Sequence, residues 1–483
     1  MLIDGIFIGG VCDQGTGKEV IRNPFDDSIV GTAAEGSWAE ADAALHAAKR
    51  AFALWRFSPI SSRQALLLRI AALVRERAEE LAMLLVAEVG KPVVWARGEV
   101  NRLAITFELA AKELEHWTRQ PAPLDSDPRG ADYEAFVERQ PRGVVLGIVP
   151  YNWPYNLAAH KLAPAIATGN TIVIKPSQQA LLSTMTLGRL IHEAGCPPGV
   201  VNVVNVHSKI AERMVLDDRV SFVSFTGSPK VGWHLKEETY QKHISLELGG
   251  DASAVVFADA IHTPTPTAEK KVNQLSSRIA AGAYGYAGQI CISIQHALVH
   301  QTVYEEVREG LIEATNACIH GDPSSEETVC GPMISSDAAD RVESWVSEAV
   351  SNGAQVIAGG GRTGNVIHPT LIEGVTPPMK LACEEVFGPV LTLRPFDSVA
   401  SVIEELNRSQ FGIHVGVFTE DRAIGERFFR EVEVGGVIVG DYPTLRFDAL
   451  PYGGVKKSGF GREGVRYAME EMSEPKSLVF KRA

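Results

Sequence analysis

The sequence predicts an α/β fold of two or three domains, on three observations. From Gly143 onward, short runs rich in β-branched and apolar residues alternate with amphipathic segments of helix length, the rhythm of parallel strands covered by helices on both faces. The same alternation resumes between about Ala297 and Val439 and reads as a second α/β domain. Ahead of both, residues 37 to 118 carry Ala, Leu, Glu and Arg with helical periodicity and read as a helical layer. At 483 residues the chain is long enough for large buried cores.

Taken in order, the first ten residues read as a strand and a turn, because they lack the basic start and long apolar core of an export signal. After the helical layer, Pro121, Pro123, Pro128 and Gly130 break the pattern, which makes residues 119–133 a linker or excursion leading into a strand at 133–139. Strands are expected at 144–149, 171–174, 200–204, 221–225 and 253–257. In open sheets of this kind ligands sit beyond the carboxyl ends of the strands. Pro150 to Pro154, Lys175-Pro176-Ser177 and Thr226 to Gly232 all follow predicted strands, and Ser228-Pro229 suits a helix start whose free N–H groups can receive phosphate. Further on lie Gly353 to Gly360, Gly388 to Leu393, a glycine-rich stretch from Pro451 to Arg462, and a last strand at 477–480. Gly459 to Gly464 matches GxGxxG, but it follows no predicted strand and leaves too little chain for a βαβ unit, so it is set aside as a dinucleotide fingerprint.

A net charge of −13 with no Lys/Arg-rich run argues against nucleic acid or an anionic membrane as partner. No run of about 18 apolar residues occurs, so no membrane span is expected. Six scattered cysteines without CxxC spacing suggest neither a zinc site nor a disulfide framework, no metal is expected, and a reducing cytoplasm fits best.

The chemistry is expected in Tyr286-Ala287-Gly288-Gln289-Ile290-Cys291-Ile292-Ser293. One cysteine among apolar neighbours can be an inert buried thiol. Two other segments favour a nucleophile: Glu247 before the Gly249-Gly250 turn and Asn152 in a Pro-bounded loop. Thiol, carboxylate and amide are the parts needed for a nucleophile, a base and an oxyanion donor.

The chain resembles the aldehyde dehydrogenase superfamily over nearly its whole length. The resemblance rests on ordered motifs: Pro150-Tyr151-Asn152-Trp153-Pro154, Ile174-Lys175-Pro176-Ser177, Phe225-Thr226-Gly227-Ser228, Glu247-Leu248-Gly249-Gly250, Gly288-Gln289-Ile290-Cys291, Glu384-Glu385-Val386-Phe387-Gly388-Pro389, and Pro451 to Gly459. It implies a Rossmann-like cofactor domain (1–118 and 134–250), an α/β catalytic domain (251–450), and a small β oligomerisation arm (119–133 and 465–483) in a homodimer or homotetramer. It also implies oxidation of an aldehyde to the acid with NADP or NAD. Cys291 would be the nucleophile, Asn152 and the Cys291 N–H the oxyanion donors, and Glu247 the base that hydrolyses a thioester. Lys175 would reach the adenosine ribose, Ser228 the diphosphate and Glu385 the nicotinamide ribose, with Phe387 near the nicotinamide; Tyr151, Gln178, Gly227 and Leu248 complete the implied cofactor set.

Several positions depart from the pattern. Gln178 stands where many NAD-preferring relatives carry glutamate; a neutral amide would bond the ribose without repelling a 2′-phosphate, so NADP is expected to serve at least as well as NAD. The loop from Asn205 lacks glycines often found there, and an insertion around residues 262–267 reads as a surface loop. The segments near Arg446 and Gly464 resemble branches acting on small hydroxy-, phospho- or semialdehydes, with Arg102, His160 and Arg446 as candidates to meet an anionic or hydroxylated tail. Ile290, in place of an arginine of relatives that hold phosphorylated aldehydes, points to a small aldehyde that is less charged or apolar. A CoA-acylating dehydrogenase and a catalytically silent relative are the competing readings; the presence of Glu247 counts against the first and the intact trio against the second.

Overall fold

A computed structural model describes residues 2–262 and 268–482. The insertion expected at 262–267 therefore falls, from 263 on, outside the described residues, while His262 pairs with Glu306 at 3.2 Å.

The helical layer comprises α1 (Trp38–Trp55), α2 (Ile60–Glu76), α3 (Ala78–Val89) and α4 (Val93–Glu113). Helix α1 starts where Ser37 and Glu40 form a reciprocal capping box. Helix α4 packs on α5 (Pro154–Thr168), every residue of which is buried. Such a helix is apolar on all sides because protein surrounds it, and each buried Leu or Ile contributes about 1.5–3 kcal/mol. Neither α5 nor α6 (Leu181–Glu193) has a side-chain cap of its own. Two buried carboxylates of the layer serve instead: Glu99 of α4 accepts from the N–H groups of Tyr155 and Asn156 at 2.9 and 3.1 Å, and Glu88 of α3 accepts from Ser183 at 2.8 Å. Carboxylates there complement both the free N–H groups and the helix dipole.

Among the described residues, an eight-stranded sheet carries a parallel run in the order Val201–Val203, Thr171–Lys175, Val144–Ile148, Val220–Thr226 and His243–Glu247. Gly459–Phe460 closes one edge antiparallel, pairing with Leu246 and Glu247, so the GxGxxG stretch is an edge strand and loop. Helices α7 (Ser208–Leu216) and α8 (Pro229–Glu238) follow the first and fourth of these strands in the chain. The strand His243–Glu247 lies outside the expected set. Its alternating Ile244 and Leu246 are buried between neighbours that only the fold supplies.

A seven-stranded sheet forms the second half, with Ser253–Val256 between His296–His300 and His414–Phe418, all parallel. The third sheet pairs Ser473–Lys481, Tyr133–Pro141 and Gln120–Pro121. Residues 134–141, expected with the cofactor-binding part, pair within this third sheet, and Val465–Glu471, expected in the arm, is a helix packed on α4 and α5. The reason is backbone pairing. Alone, Tyr133–Pro141 would present unpaired N–H and C=O groups; the nine-residue C-terminal strand supplies partners along its full length, and Phe136 meets Phe480 edge to face at 6.4 Å.

Candidate active site

Because the central strands of the larger sheet are parallel, their carboxyl ends share one rim. In spatial order that rim presents Lys175, the Pro150–Pro154 turn after Ile148, the Thr226–Ser228 turn, and Glu247. Three interstrand spacings make it roughly 14 Å across. The second half of the molecule covers one side of the rim, and a cleft of about 590 Å³ lies between them. Tyr151, Asn152, Lys175, Gln178, Gly227, Ser228, Glu247, Leu248, Cys291, Glu385 and Phe387 all line it. The sequence singled them out from six separate stretches, and the fold brings all of them together.

Cys291 reaches the cleft through a tight turn in which Tyr286, Ala287 and Gly288 have φ of 51°, 54° and 67°. Left-handed conformations cost non-glycine residues about 1–3 kcal/mol each, so the surroundings must hold them. They do: the Tyr286 N–H donates to the Val329 carbonyl at 3.0 Å, the Tyr286 hydroxyl to Val89 at 3.3 Å, and the Gln289 N–H back to Tyr286 at 3.1 Å. A side chain at Gly288 would lie 2.2 Å from the Gly388 carbonyl oxygen, which requires glycine there.

Asn152 is tied to the same turn, its Nδ2 donating to the Gln289 carbonyl at 2.8 Å. An amide has two N–H bonds, so this one orients the side chain and leaves the other to meet a ligand. Tyr151 donates to Gln289 Oε1 at 3.2 Å and meets Phe387 edge to face at 6.3 Å.

Glu247 is 3 % exposed, and neither carboxylate oxygen has a hydrogen-bond partner. Burial and the nearby negative Glu463 push its carboxyl well above the usual range, with Arg446 and Lys161 opposing. Two unpartnered oxygens on a buried carboxyl in a cleft mark a group kept free for a ligand or water. Glu385 accepts from the Gly250 N–H at 3.0 Å and is raised to about 7 by burial. A side chain at Gly249 would collide with it at 1.9 Å, so the Gly249-Gly250 turn is a seat for this carboxylate. Burial lowers Lys175 to about 8, with Glu19 opposing. Helix α8 begins at Ser228, so its unpaired first-turn N–H groups adjoin the cleft.

The structure adds residues to which the sequence assigned no role. The Tyr452 hydroxyl lies 2.7 Å from Cys291 Sγ. Burial pushes this thiol up to about 11, whereas the Tyr452 hydrogen bond and the Arg446 charge pull it down. Tyr452→Phe should therefore shift the pH profile of Cys291 alkylation by iodoacetamide to higher pH and slow the reaction several-fold at pH 8; an unmoved profile would show that the hydroxyl does not act on the thiolate. Tyr452 sits in the glycine-rich motif after Pro451, which was legible as a motif without indicating a target. Arg341, whose Nη2 donates to the Val386 carbonyl at 2.8 Å, also lines the cleft and comes from a helix with no distinguishing pattern.

The expected anion-binding candidates are arranged differently from that expectation. Arg102 makes two bonds to Asp448 at 3.0 and 2.6 Å. The buried His160 bonds the same carboxylate at 2.9 Å, and Arg446 lies 3.3 Å from Glu463 and stacks 3.7 Å from the Tyr452 ring centroid. These carboxylates compensate the cations before any ligand arrives. Among the described residues no group of His, Cys, Asp and Glu is placed to hold a metal ion, and no helix is long and apolar enough to cross a membrane.

Comparison with known proteins gives a match to the aldehyde dehydrogenase family over residues 12–478. The chain is 36 % identical over 476 residues to a 3-sulfolactaldehyde dehydrogenase of Priestia aryabhattai, covering 98 % of this chain and 97 % of that one. It is 35 % identical over 479 residues to a lactaldehyde dehydrogenase of Methanocaldococcus jannaschii, covering 98 % and 99 %. A crystal structure of an NADP-dependent glyceraldehyde-3-phosphate dehydrogenase from Bacillus halodurans, complexed with NADP, superimposes with a TM-score of 0.95 at 32 % identity, covering 100 % of both chains.

Proposed function

The chain belongs to the aldehyde dehydrogenase family and oxidises an aldehyde to the carboxylic acid with NAD or NADP, and from that premise we propose that Cys291 is its nucleophile, Asn152 its oxyanion donor and Glu247 its hydrolytic base. The observation that carries this reading is the shared fixation of Asn152 and the Cys291 turn through Gln289, facing an unpartnered Glu247 in one cleft.

In this reading the Cys291 thiolate adds to the aldehyde carbon, and the carbonyl oxygen becomes an oxyanion that takes the second Asn152 N–H and the Cys291 backbone N–H. A nicotinamide dinucleotide, when bound, supplies the acceptor for the hydride that this adduct loses in becoming a thioester. The residues present fit such a group: helix α8 offers free N–H groups for a diphosphate, Lys175 and Gln178 line the cleft at the far strand, and Glu385 is seated on the Gly249-Gly250 turn beside Phe387. Glu247 then removes a proton from water, the hydroxide attacks the thioester carbon, and the C–S bond breaks to release acid and thiolate.

For the substrate we favour a short hydroxyaldehyde. The aligned relatives named above act on short aldehydes carrying hydroxyl or acidic groups. Arg102 and Arg446 are already paired with Asp448 and Glu463, and Ile290 beside Cys291 is buried and neutral, which weighs against a phosphorylated tail. The test is a panel of lactaldehyde, succinic semialdehyde, 3-sulfolactaldehyde and glyceraldehyde-3-phosphate, with NAD and with NADP and without CoA. Highest kcat/KM on the phosphorylated compound would refute the substrate reading, and dependence on CoA the hydrolytic one. The exposed apolar side chains of Leu478, Val479 and Phe480 on the edge of the arm sheet support assembly into a homodimer or homotetramer, and the charge and composition support a cytoplasmic setting.

Gln178 is exposed and lines the cleft near Lys175. NADP is expected to serve at least as well as NAD. Gln178→Glu should lower the NADP-to-NAD ratio of kcat/KM by roughly tenfold, the scale of one partly screened charge repulsion. A ratio that stays put would mean this side chain does not face the ribose.

A further inference from the structure

We propose that the buried Lys91–Glu99 ion pair is a positioning element that holds the Asn152 loop against the Cys291 turn. The inference rests on the reading of Asn152 as oxyanion donor and extends it to the groups that keep Asn152 in place.

Both side chains of the pair are 0 % exposed. Taking two charges fully out of water is costly, and apolar side chains of similar size would join α4 to α5 at less expense, so the charges call for an explanation beyond packing. Their contacts supply one. Glu99 Oε1 accepts from the N–H groups of Tyr155 and Asn156 at the start of α5, immediately after the Asn152 loop, while Oε2 accepts from Lys91 Nζ. Lys91 Nζ lies 4.0 Å from the ring centroid of Trp153 and 4.6 Å from that of Tyr286. Trp153 is the neighbour of Asn152, and Tyr286 opens the left-handed turn that leads to Cys291. One ammonium between two aromatic faces attracts both through their ring quadrupoles, most strongly where water is absent. The pair therefore grips the Asn152 loop at Trp153, the start of α5 that follows it at two N–H groups, and the Cys291 turn at Tyr286. Directly between them, Asn152 Nδ2 donates to Gln289 O. No apolar replacement could cap α5 and attract two ring faces together.

The consequence is kinetic. An oxyanion donor displaced by a fraction of an ångström loses most of its effect, so loosening this grip slows adduct formation and oxidation without removing any group that touches substrate. The test is the double variant Lys91→Met with Glu99→Gln, which removes both charges together and keeps an amide oxygen for the Tyr155 and Asn156 N–H groups. In single-turnover mixing, with saturating enzyme in excess over lactaldehyde and with NAD, the rate constant for reduced cofactor formation should fall by roughly tenfold to a hundredfold. The KM for NAD should stay near wild type. That rate constant does not depend on how many sites are live, so a merely structural role would leave it unchanged while lowering the titrated fraction of active sites, and that result would overturn the proposal. In an Asn152→Ala background the double variant should add less than about a twofold loss, because it acts through Asn152; a full multiplicative loss would also overturn it. If Asn152→Ala alone leaves the rate constant untouched, the oxyanion reading itself falls and this inference with it. Should the double variant not fold, Glu99→Asp, which keeps both charges but draws the carboxylate back from α5, must slow the same rate constant.

Discussion

Replacing Cys291 by alanine is expected to reduce dehydrogenase turnover by about 10⁴-fold or more, the scale seen when a covalent nucleophile is removed. No second thiol can take its place: Cys12, Cys196, Cys318, Cys330 and Cys383 lie outside the cleft. The fold should be little affected. The side chain is partly exposed to the cleft and among the described residues bonds to Tyr452, so the loss in stability should be about 1 kcal/mol or less. Cofactor affinity, measured by quenching of tryptophan fluorescence, should persist because Lys175, Ser228 and Glu385 are untouched. Wild-type turnover in the purified variant would end the covalent mechanism.

Glu247→Gln is expected to divide the reaction in two. The amide has nearly the shape of the carboxyl and enters a site where neither oxygen had a partner, so packing survives while the base is lost. Thioester hydrolysis should slow by about 10²–10³-fold, whereas the first turnover still yields a burst of reduced cofactor. The wild-type pH profile carries the same information. Burial and Glu463 raise the Glu247 pKa, so at low pH the group is a neutral acid that cannot take a proton from water. As pH rises through the raised pKa the carboxylate form accumulates, and the hydrolysis rate should climb from a midpoint above the ordinary carboxylate range to a plateau. In the glutamine variant that limb should vanish. An unchanged steady-state rate, or an identical pH limb, would remove Glu247 from the role.

Much of the architecture was legible because it is written locally. The runs at 144–149 and 171–174 are almost wholly apolar and 221–225 is rich in Phe and Val, as strands between two helix layers are, and each is followed by Pro or Gly punctuation that becomes the rim of the cleft. Cys291, Glu247 and Asn152 were legible as chemistry because turn motifs surround them. The strand His243–Glu247 was not, since five residues with a polar first position give little periodicity to read. Nor was the pairing of Tyr133–Pro141, whose partner strand lies at the far end of the chain.

The roles of individual charges were least accessible. Arg102, His160 and Arg446 look in sequence like receptors for an anionic tail; in the fold Asp448 and Glu463 already occupy them. Tyr452 is 161 residues from the thiol it touches, and Lys91 meets rings from two distant loops. Helical and strand periods, turn residues and ordered motifs depend on neighbours a few positions away, which is why the chain alone dictates its α/β architecture and its family. The state of a buried charge depends on what lies within a few ångströms in space, through Coulomb terms and desolvation that fall away over that distance. Only the packed structure therefore decides that Glu247 is a raised, unpartnered carboxyl, that Cys291 lies against Tyr452, and that Arg102 and Arg446 are already paired with carboxylates.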